Sequence, residues 1–172
     1  MRNKKPIISN IIDNLRRVFQ ILNEQSKKVE RETGLTGPQL WAIKTINESS
    51  PVKVSDLANK LYLHPTTVVG IIDRLEKQDL VKRRRSKYDR RVVWIELTDK
   101  GNDLVISAPE VAQGLLVSGL EEIAANNLIE IDRSMKHLVQ IFGAQKTPPK
   151  LILSTEVNVP NDANIEESDK YK

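Results

Sequence analysis

The segments VSDLANKL, residues 54–61, and PTTVVGIIDRLEKQ, residues 65–78, each have the apolar spacing of a short helix, and three residues separate them. Ser55 stands where a hydroxyl caps the first helix, and Pro65 stands where proline starts the second. At about 100° per residue the second helix divides into two faces. The apolar face holds Val68, Ile71, Ile72 and Leu75, and the polar face holds Thr66, Thr67, Gly70, Asp73, Arg74 and Lys77. The pattern predicts a helix-turn-helix whose second helix packs on one side only.

The polar face of the second helix has the chemistry of a nucleic-acid contact. Thr66 and Thr67 are small hydroxyl residues at the helix N-terminus, where the helix dipole favours an anionic backbone. Gly70 permits a close approach, and Arg74 suits a phosphate or a guanine edge. An ordinary surface helix is the alternative when this segment is considered alone.

A dense basic segment follows directly. Residues 82–91 carry seven basic side chains against one acid. Val81 precedes the run, and Val93, Ile95 and Leu97 follow it with the alternation of a strand. We expect a hairpin of two short strands joined by a charged loop, with the three alternating residues anchoring its base in a core. A solvated basic loop or a localisation tag is the alternative for the run by itself.

Together these segments resemble a MarR-family winged helix-turn-helix regulator. The most specific part is the motif D-x-R-x5-L-T-x2-G, met without a gap by Asp89, Arg91, Leu97, Thr98 and Gly101. Two positions depart from the family pattern, because Tyr62 and Asp79 stand where glycine is usual. Asp tolerates the left-handed conformation that ends a helix, and Tyr62 indicates a wider turn.

The resemblance implies a role for each element. It places the recognition helix, residues 65–78, in the major groove and makes the hairpin 80–97 a wing. It puts Arg91 in the minor groove, oriented by Asp89, with phosphate contacts from Arg90 and the run 83–85. The candidate DNA-binding residues are Ser55, Pro65, Thr66, Thr67, Gly70, Arg74, Arg83, Arg84, Arg85, Lys87, Asp89, Arg90 and Arg91.

Apolar residues at helical spacing also occur near both ends of the chain. Residues 7–22 carry a stripe broad enough to be buried on more than one side. A coiled-coil seam with alternating steps of four and three is formed by Ala124, Leu128, Ile131, Met135, Leu138 and Phe142. A two-fold dimer built from these helices would present two recognition helices about one duplex turn apart. The alternative is that both helices close over their own domain as a monomeric core.

We therefore predict a mainly α-helical chain with a small β-hairpin wing, organised in four parts. Residues 6–32 form an N-terminal dimerisation helix and residues 35–101 the winged helix-turn-helix domain. Residues 102–143 form the C-terminal dimerisation helices, and residues 144–172 are a tail that we expect to be flexible, since most of it lacks the apolar content to fold.

The segment after the wing should contain a bent helix. Thr98 is the expected N-cap of a helix beginning at Asp99, Pro109 should interrupt that helix, and Gly114 and Gly119 should loosen its end. In the family that the chain resembles, small ligands bind in the cleft between the DNA-reading and dimer parts.

Four residues are candidates for lining such a cleft: Trp41, Asp13, Arg16 and Arg17. Each is more typical of a structural residue, and a tryptophan that follows Leu40 and precedes Ile43 usually belongs to a core. The ligand-binding residues and the ligand itself are therefore unknown at this point.

Composition excludes several classes of protein. The chain has 172 residues, a net charge of +4 and no cysteine, which excludes disulfides and thiolate metal sites. His64 and His137 lie far apart, and no phosphate loop, zinc pair or nucleophile elbow occurs. We expect no catalysis, no metal and no cofactor, with His64 a helix cap or a phosphate contact. No signal segment and no apolar run of about eighteen residues occurs, so we expect a cytoplasmic protein without a membrane partner.

We predict that the protein is a homodimeric transcriptional regulator, and we expect it to be a repressor. It would bind double-stranded DNA at a pseudo-palindromic operator and be released by a small-molecule effector. The alternative is a winged helix used for protein interaction or for non-specific nucleic-acid binding. Tyr88 is the single aromatic residue in the basic run, which favours duplex DNA over stacked single-stranded bases.

Overall fold

The computed structural model describes residues 4–86 and 92–151. Within these ranges the chain is mainly helical and carries a small antiparallel sheet, so the predicted fold class is confirmed. The elements are α1 (Lys5–Thr33), α2 (Gly37–Ser49), β1 (Val52–Lys53), α3 (Val54–Lys60), α4 (Pro65–Lys77), β2 (Val81–Arg85), β3 (Val93–Leu97), α5 (Asp99–Ser107), α6 (Ala112–Glu122) and α7 (Ala125–Ile141).

Helix starts follow the capping chemistry of the sequence at two of three predicted sites. Pro65 begins α4, preceded by the N-cap His64, and the Thr98 hydroxyl caps α5 by accepting the Gly101 N–H at 3.1 Å. The prediction that Ser55 caps the preceding helix was wrong. Lys53 is the N-cap of α3, and the Ser55 hydroxyl donates to Asp56 Oδ1 at 3.2 Å. A cap at Ser55 would require the helix to begin at Asp56, whereas α3 begins two residues earlier, at Val54.

The sheet has the strand order β1-β3-β2. The predicted hairpin is confirmed, with Val81 opposite Leu97 and Arg85 opposite Val93. The basic residues were expected in the loop of the hairpin, but the first four of them, residues 82–85, lie in strand β2. Strand β1 adds an edge by pairing Val52 with Ile95, and at two residues it is too short to be recognised by alternation.

The core lies where the apolar faces of α2, α3, α4 and the sheet meet. All four residues predicted on the apolar face of α4 are buried. Ile95 and Leu97 are buried and Val93 is half-buried, so the hairpin base is anchored as predicted. The buried side chains with the largest volumes include Leu35, Leu40, Ile43, Ile46, Leu57, Leu61, Ile72, Leu75 and Leu80.

Among residues 4–86 and 92–151, two non-glycine residues occupy the left-handed region, and both stand where the family pattern has glycine. Asp79 has φ 57°, as its tolerance for that conformation predicted, and Tyr62 has φ 51°. The expectation of a wider turn at Tyr62 was therefore wrong. The turn keeps its tight geometry, and a tyrosine adopts the conformation that glycine adopts without steric cost.

The terminal helices contrast with this core. In α1 only Val29 is buried, and in α7 no residue is buried within the described part of the chain. The alternative in which both helices close over their own domain is thus contradicted. Pro109 separates α5 from α6 as predicted, whereas Gly114 and Gly119 lie inside α6 instead of loosening its end.

The described part of the tail ends at Leu151, which is half-buried and packs against the core cluster. The flexibility of the tail stays a prediction. Residues 152–172 lie outside the described residues.

Candidate nucleic-acid interface

The polar residues of α4 lie on the side of the helix that is not packed against the core. Thr66, Asp73, Arg74 and Lys77 are exposed, while Thr67 and Gly70 are half-buried. Because the buried residues fill the opposite side, these six residues form one surface with the helix N-terminus at its end. N–H groups at that end and the helix dipole favour a phosphate oxygen.

His64 organises the first turn of α4. Its Nδ1 lies 2.8 Å from the Thr66 hydroxyl oxygen and accepts the Thr66 backbone N–H at 3.4 Å. The predicted capping role of His64 is confirmed, and the contact with Thr66 orients a hydroxyl that the sequence placed among the DNA-binding residues.

The three arginines of β2 differ in their surroundings. Arg83 donates to Glu76 Oε2 and to Asp73 Oδ1, each at 2.6 Å. Arg84 forms an ion pair with Glu96 at 2.6 Å, yet its side chain keeps 62% exposure. Arg85 is exposed near the end of the strand. The geometry of Arg83 directs it toward α4 and does not support its assignment as a phosphate contact.

Strand β3 supplies a feature that the sequence analysis missed. The ammonium group of Lys53 lies 5.3 Å from the centre of the Trp94 ring, a cation–π distance. Trp94 is half-buried on the face of β3 opposite to Ile95. The contact joins β1 to the hairpin, and its partners are too distant in sequence to be paired by pattern alone.

The tip of the wing lies outside the described residues. This applies to Lys87, Asp89, Arg90 and Arg91, so their roles stay predictions. Ser55 is exposed on α3, and Pro65 forms the first turn of α4.

A polar cavity of about 330 Å³ lies between α2, the α3–α4 turn and α6. Trp41 lines it and also packs against the core cluster, as expected for a structural residue. A ligand role for Trp41 stays a prediction. The other lining residues are Lys44, Thr45, Glu48, Asn59, Lys60, Tyr62, Glu110, Val111, Gly114, Leu115, Val117, Ser118 and Glu121. The candidates Asp13, Arg16 and Arg17 are not among them, because they bond within exposed turns of α1.

Two side-chain contacts connect opposite walls of this cavity. Lys44 of α2 pairs with Glu110 at 3.1 Å, and the Tyr62 hydroxyl donates to Glu121 of α6 at 2.7 Å. The hydrogen bond to Glu121, together with its negative charge, raises the pKa of Tyr62 above its ordinary value of 10.0. The second contact joins the helix-turn-helix directly to the helix that leads to α7.

Residues 4–86 and 92–151 contain neither a candidate metal site nor a candidate membrane-spanning helix. No group of three or more His, Cys, Asp or Glu side chains is placed to hold a metal ion. In the same ranges, no helix has both the length and the apolar character needed to span a bilayer.

Comparison with known proteins gives consistent matches. A sequence model described as the MarR family matches residues 35–93. The HTH-type transcriptional regulator MgrA of Staphylococcus aureus is 30% identical over 128 residues, covering 74% of this chain and 85% of that protein.

Two solved structures extend the comparison. A MepR-like protein complexed with pseudoligands has a TM-score of 0.54 and 29% identity, covering 80% of this chain and 98% of that chain. Streptococcus pneumoniae FabT in complex with DNA has a TM-score of 0.53 at 20% identity, covering 79% of this chain and 97% of that chain, and supports the fold alone.

Proposed function

Because this chain belongs to the MarR family of transcriptional regulators, we propose that it is a homodimeric repressor of a pseudo-palindromic operator, released by a small-molecule effector. The observation that carries the proposal is the combination of an exposed face of α4 with the basic strand β2 that follows it. A helix of this kind enters the major groove, and a basic hairpin beside it reaches the backbone or the minor groove.

Within each half-site, the residues of α4 divide into two tasks. Thr66 and the helix N-terminus contact phosphates and fix the position of the helix. Thr67 and Arg74, seven residues apart on one edge of the helix, contact base edges. Arg85 and the predicted tip residues Arg90 and Arg91 hold the flanking backbone and minor groove.

The dimer is supported by the apolar surface of the terminal helices. Large apolar residues that a soluble monomer would normally cover are exposed on α1 and α7, among them Ile7, Ile11, Phe19, Leu128, Ile131 and Met135. Contiguous apolar surface of this kind marks an interface. A second copy supplies the same surface, and two-fold symmetry matches the symmetry of a palindromic operator.

Release by an effector is supported by the cavity beside α3. Its volume of about 330 Å³ suits a small organic molecule. Its walls belong to the helix-turn-helix on one side and to α6 on the other. A ligand that alters their separation changes the spacing of the two recognition helices, and differential affinity for the two spacings drives release.

Fluorescence anisotropy tests this proposal against non-specific binding. The full chain is titrated onto labelled duplex from its own upstream region and onto a shuffled duplex, at several salt concentrations. We expect selective binding to the upstream duplex, with a log affinity that falls by roughly 0.9 per neutralised phosphate for each unit of log salt. Equal affinity for both duplexes would contradict a specific operator there, and absent binding at low salt would favour a protein-interaction module.

Substitutions on α4 test the division of tasks. Thr67→Ala and Arg74→Ala should change the preferred sequence, with a loss of about 1–3 kcal/mol at the affected base pairs. The control is Lys136→Ala on α7, which should leave both affinity and preference unchanged. A uniform loss across all sequences would contradict base contacts by Thr67 and Arg74.

A further inference from the structure

The recognition helix α4 carries two acids on its exposed side. At about 100° per residue, Asp73 lies near the middle of the exposed face and Glu76 lies about 60° from it, toward the wing. Arg74 lies on the opposite edge of that face. Carboxylates that face a phosphate backbone repel it, so a DNA-binding helix with two acids on this surface needs a compensating group.

Arg83 provides that group from the neighbouring strand. One guanidinium nitrogen, Nη1, is 2.6 Å from Glu76 Oε2 and the other, Nη2, is 2.6 Å from Asp73 Oδ1. A planar guanidinium with two parallel donors matches such a pair of acceptors, which a single ammonium would not. With both terminal nitrogens engaged, Arg83 has a fixed orientation against α4.

The pleat of β2 explains why this arginine, and not its neighbours, reaches α4. Alternate residues of a strand share a face, so Arg83 lies on the same face as the buried Val81, and Arg84 lies on the other. Arg83 pairs in register with Ile95, which is fully buried. Its backbone is therefore held by the core, while Arg85, on the same face, lies two residues further toward the tip.

We propose that Arg83 is a positioning residue that acts on DNA through Asp73 and Glu76 and makes no phosphate contact of its own. It holds the wing root against α4 and shields the two carboxylates from the backbone. The three side chains together carry a charge of −1, and they carry −2 without the arginine. This inference rests on the proposed DNA-binding function, which it deepens.

A mutant cycle on operator DNA tests the inference. Arg83→Gln is measured in the native chain and in the background Asp73→Asn/Glu76→Gln, by the anisotropy titration described above. In the native chain we expect affinity to fall about tenfold; in the background the same substitution should change affinity by less than about twofold, because Arg83 has lost the groups it acts through. Exposed ion pairs contribute little to stability, so the fold should be retained, and circular dichroism checks this.

Arg85→Gln is the matched control, since it is an arginine on the same face of the same strand. Because Arg85 is proposed to contact the DNA backbone directly, Arg85→Gln should weaken binding by the same factor in the native chain and in the Asp73→Asn/Glu76→Gln variant. A loss at Arg83 that is equally large in both backgrounds would overturn the positioning role and restore a phosphate contact. Failure of the native chain to bind any duplex would overturn the proposed function itself, and the inference with it.

Discussion

The winged helix and the terminal helices use the same apolar residue types at the same helical spacing, with opposite results. On α4, Ile72 and Leu75 are fully buried, whereas Phe19 of α1 and Met135 of α7 are exposed by 62% and 53%. The first region closes its apolar faces within one chain. The second leaves them uncovered, and this exposed apolar surface is the interface proposed above for a second copy of the chain.

The strongest test of the self-contained region is Gly101→Ala. Gly101 is buried in the first turn of α5, and an added Cβ would overlap the backbone carbonyl oxygen of Leu80. A backbone group at a strand start cannot move away cheaply, so we expect a loss of about 3 kcal/mol or more. Urea denaturation of the purified variant measures it.

Gly119→Ala, in α6 outside the winged helix, is the matched control. No neighbouring atom lies within 4 Å of a Cβ added at Gly119. Alanine there should stabilise the helix by about 0.5–1 kcal/mol. Equal effects at the two glycines would contradict the close packing assigned to Gly101.

The terminal helices are tested by Ile131→Glu on the predicted seam of α7. A charge at the centre of an apolar interface should weaken the dimer by about 2 kcal/mol or more per chain, while the helical content stays native. Sedimentation velocity over a concentration series measures the shift. Arg133→Glu, about 200° around the helix, should leave association unchanged, and an unchanged monomer–dimer balance in Ile131→Glu would argue against α7 as the interface.

The next test compares Thr98 and Ser55, which the sequence pattern predicted to be helix N-caps. Thr98 accepts the Gly101 N–H at 3.1 Å and donates to the Asp79 carbonyl at 2.7 Å, so Thr98→Ala should cost about 1 kcal/mol. Ser55 caps nothing, and Ser55→Ala should change stability by less than about 0.5 kcal/mol. Thermal unfolding of both variants compares them directly, and a larger loss at Ser55 would refute the assigned caps.

The smallest expected effect is that of Tyr62→Phe, which removes the contact between the helix-turn-helix and α6. The neutral phenol donates to Glu121, and this raises the pKa of Tyr62 above 10.0. Its stabilising contribution is therefore complete below pH 10 and is lost as the pH rises through the raised value. The difference in Tm between native chain and variant should shrink between about pH 8 and about pH 11, and a difference that grows would contradict the contact.

Sequence periodicity predicted the helix faces, the hairpin and one helix cap, but it could not predict which side chains of different elements contact each other. The faces of α4, the hairpin, the Thr98 cap and the break at Pro109 follow from residue spacing and capping chemistry. The Tyr62–Glu121 bond joins residues 59 apart, and Arg83 meets Asp73 and Glu76 across 10 and 7 residues. These partners lie on different elements, so the period of a single helix or strand does not relate them. The sequence pattern therefore did not distinguish the members of the basic run, although they have separate partners.

Light scattering on the full chain, alone and bound to its operator duplex, tests whether the winged helix binds DNA only in pairs joined by α1 and α7. We expect a free mass of twice the 19.5 kDa chain and two chains per duplex. A monomer that binds the duplex singly with undiminished affinity would contradict it, and would leave the exposed apolar faces to a different partner.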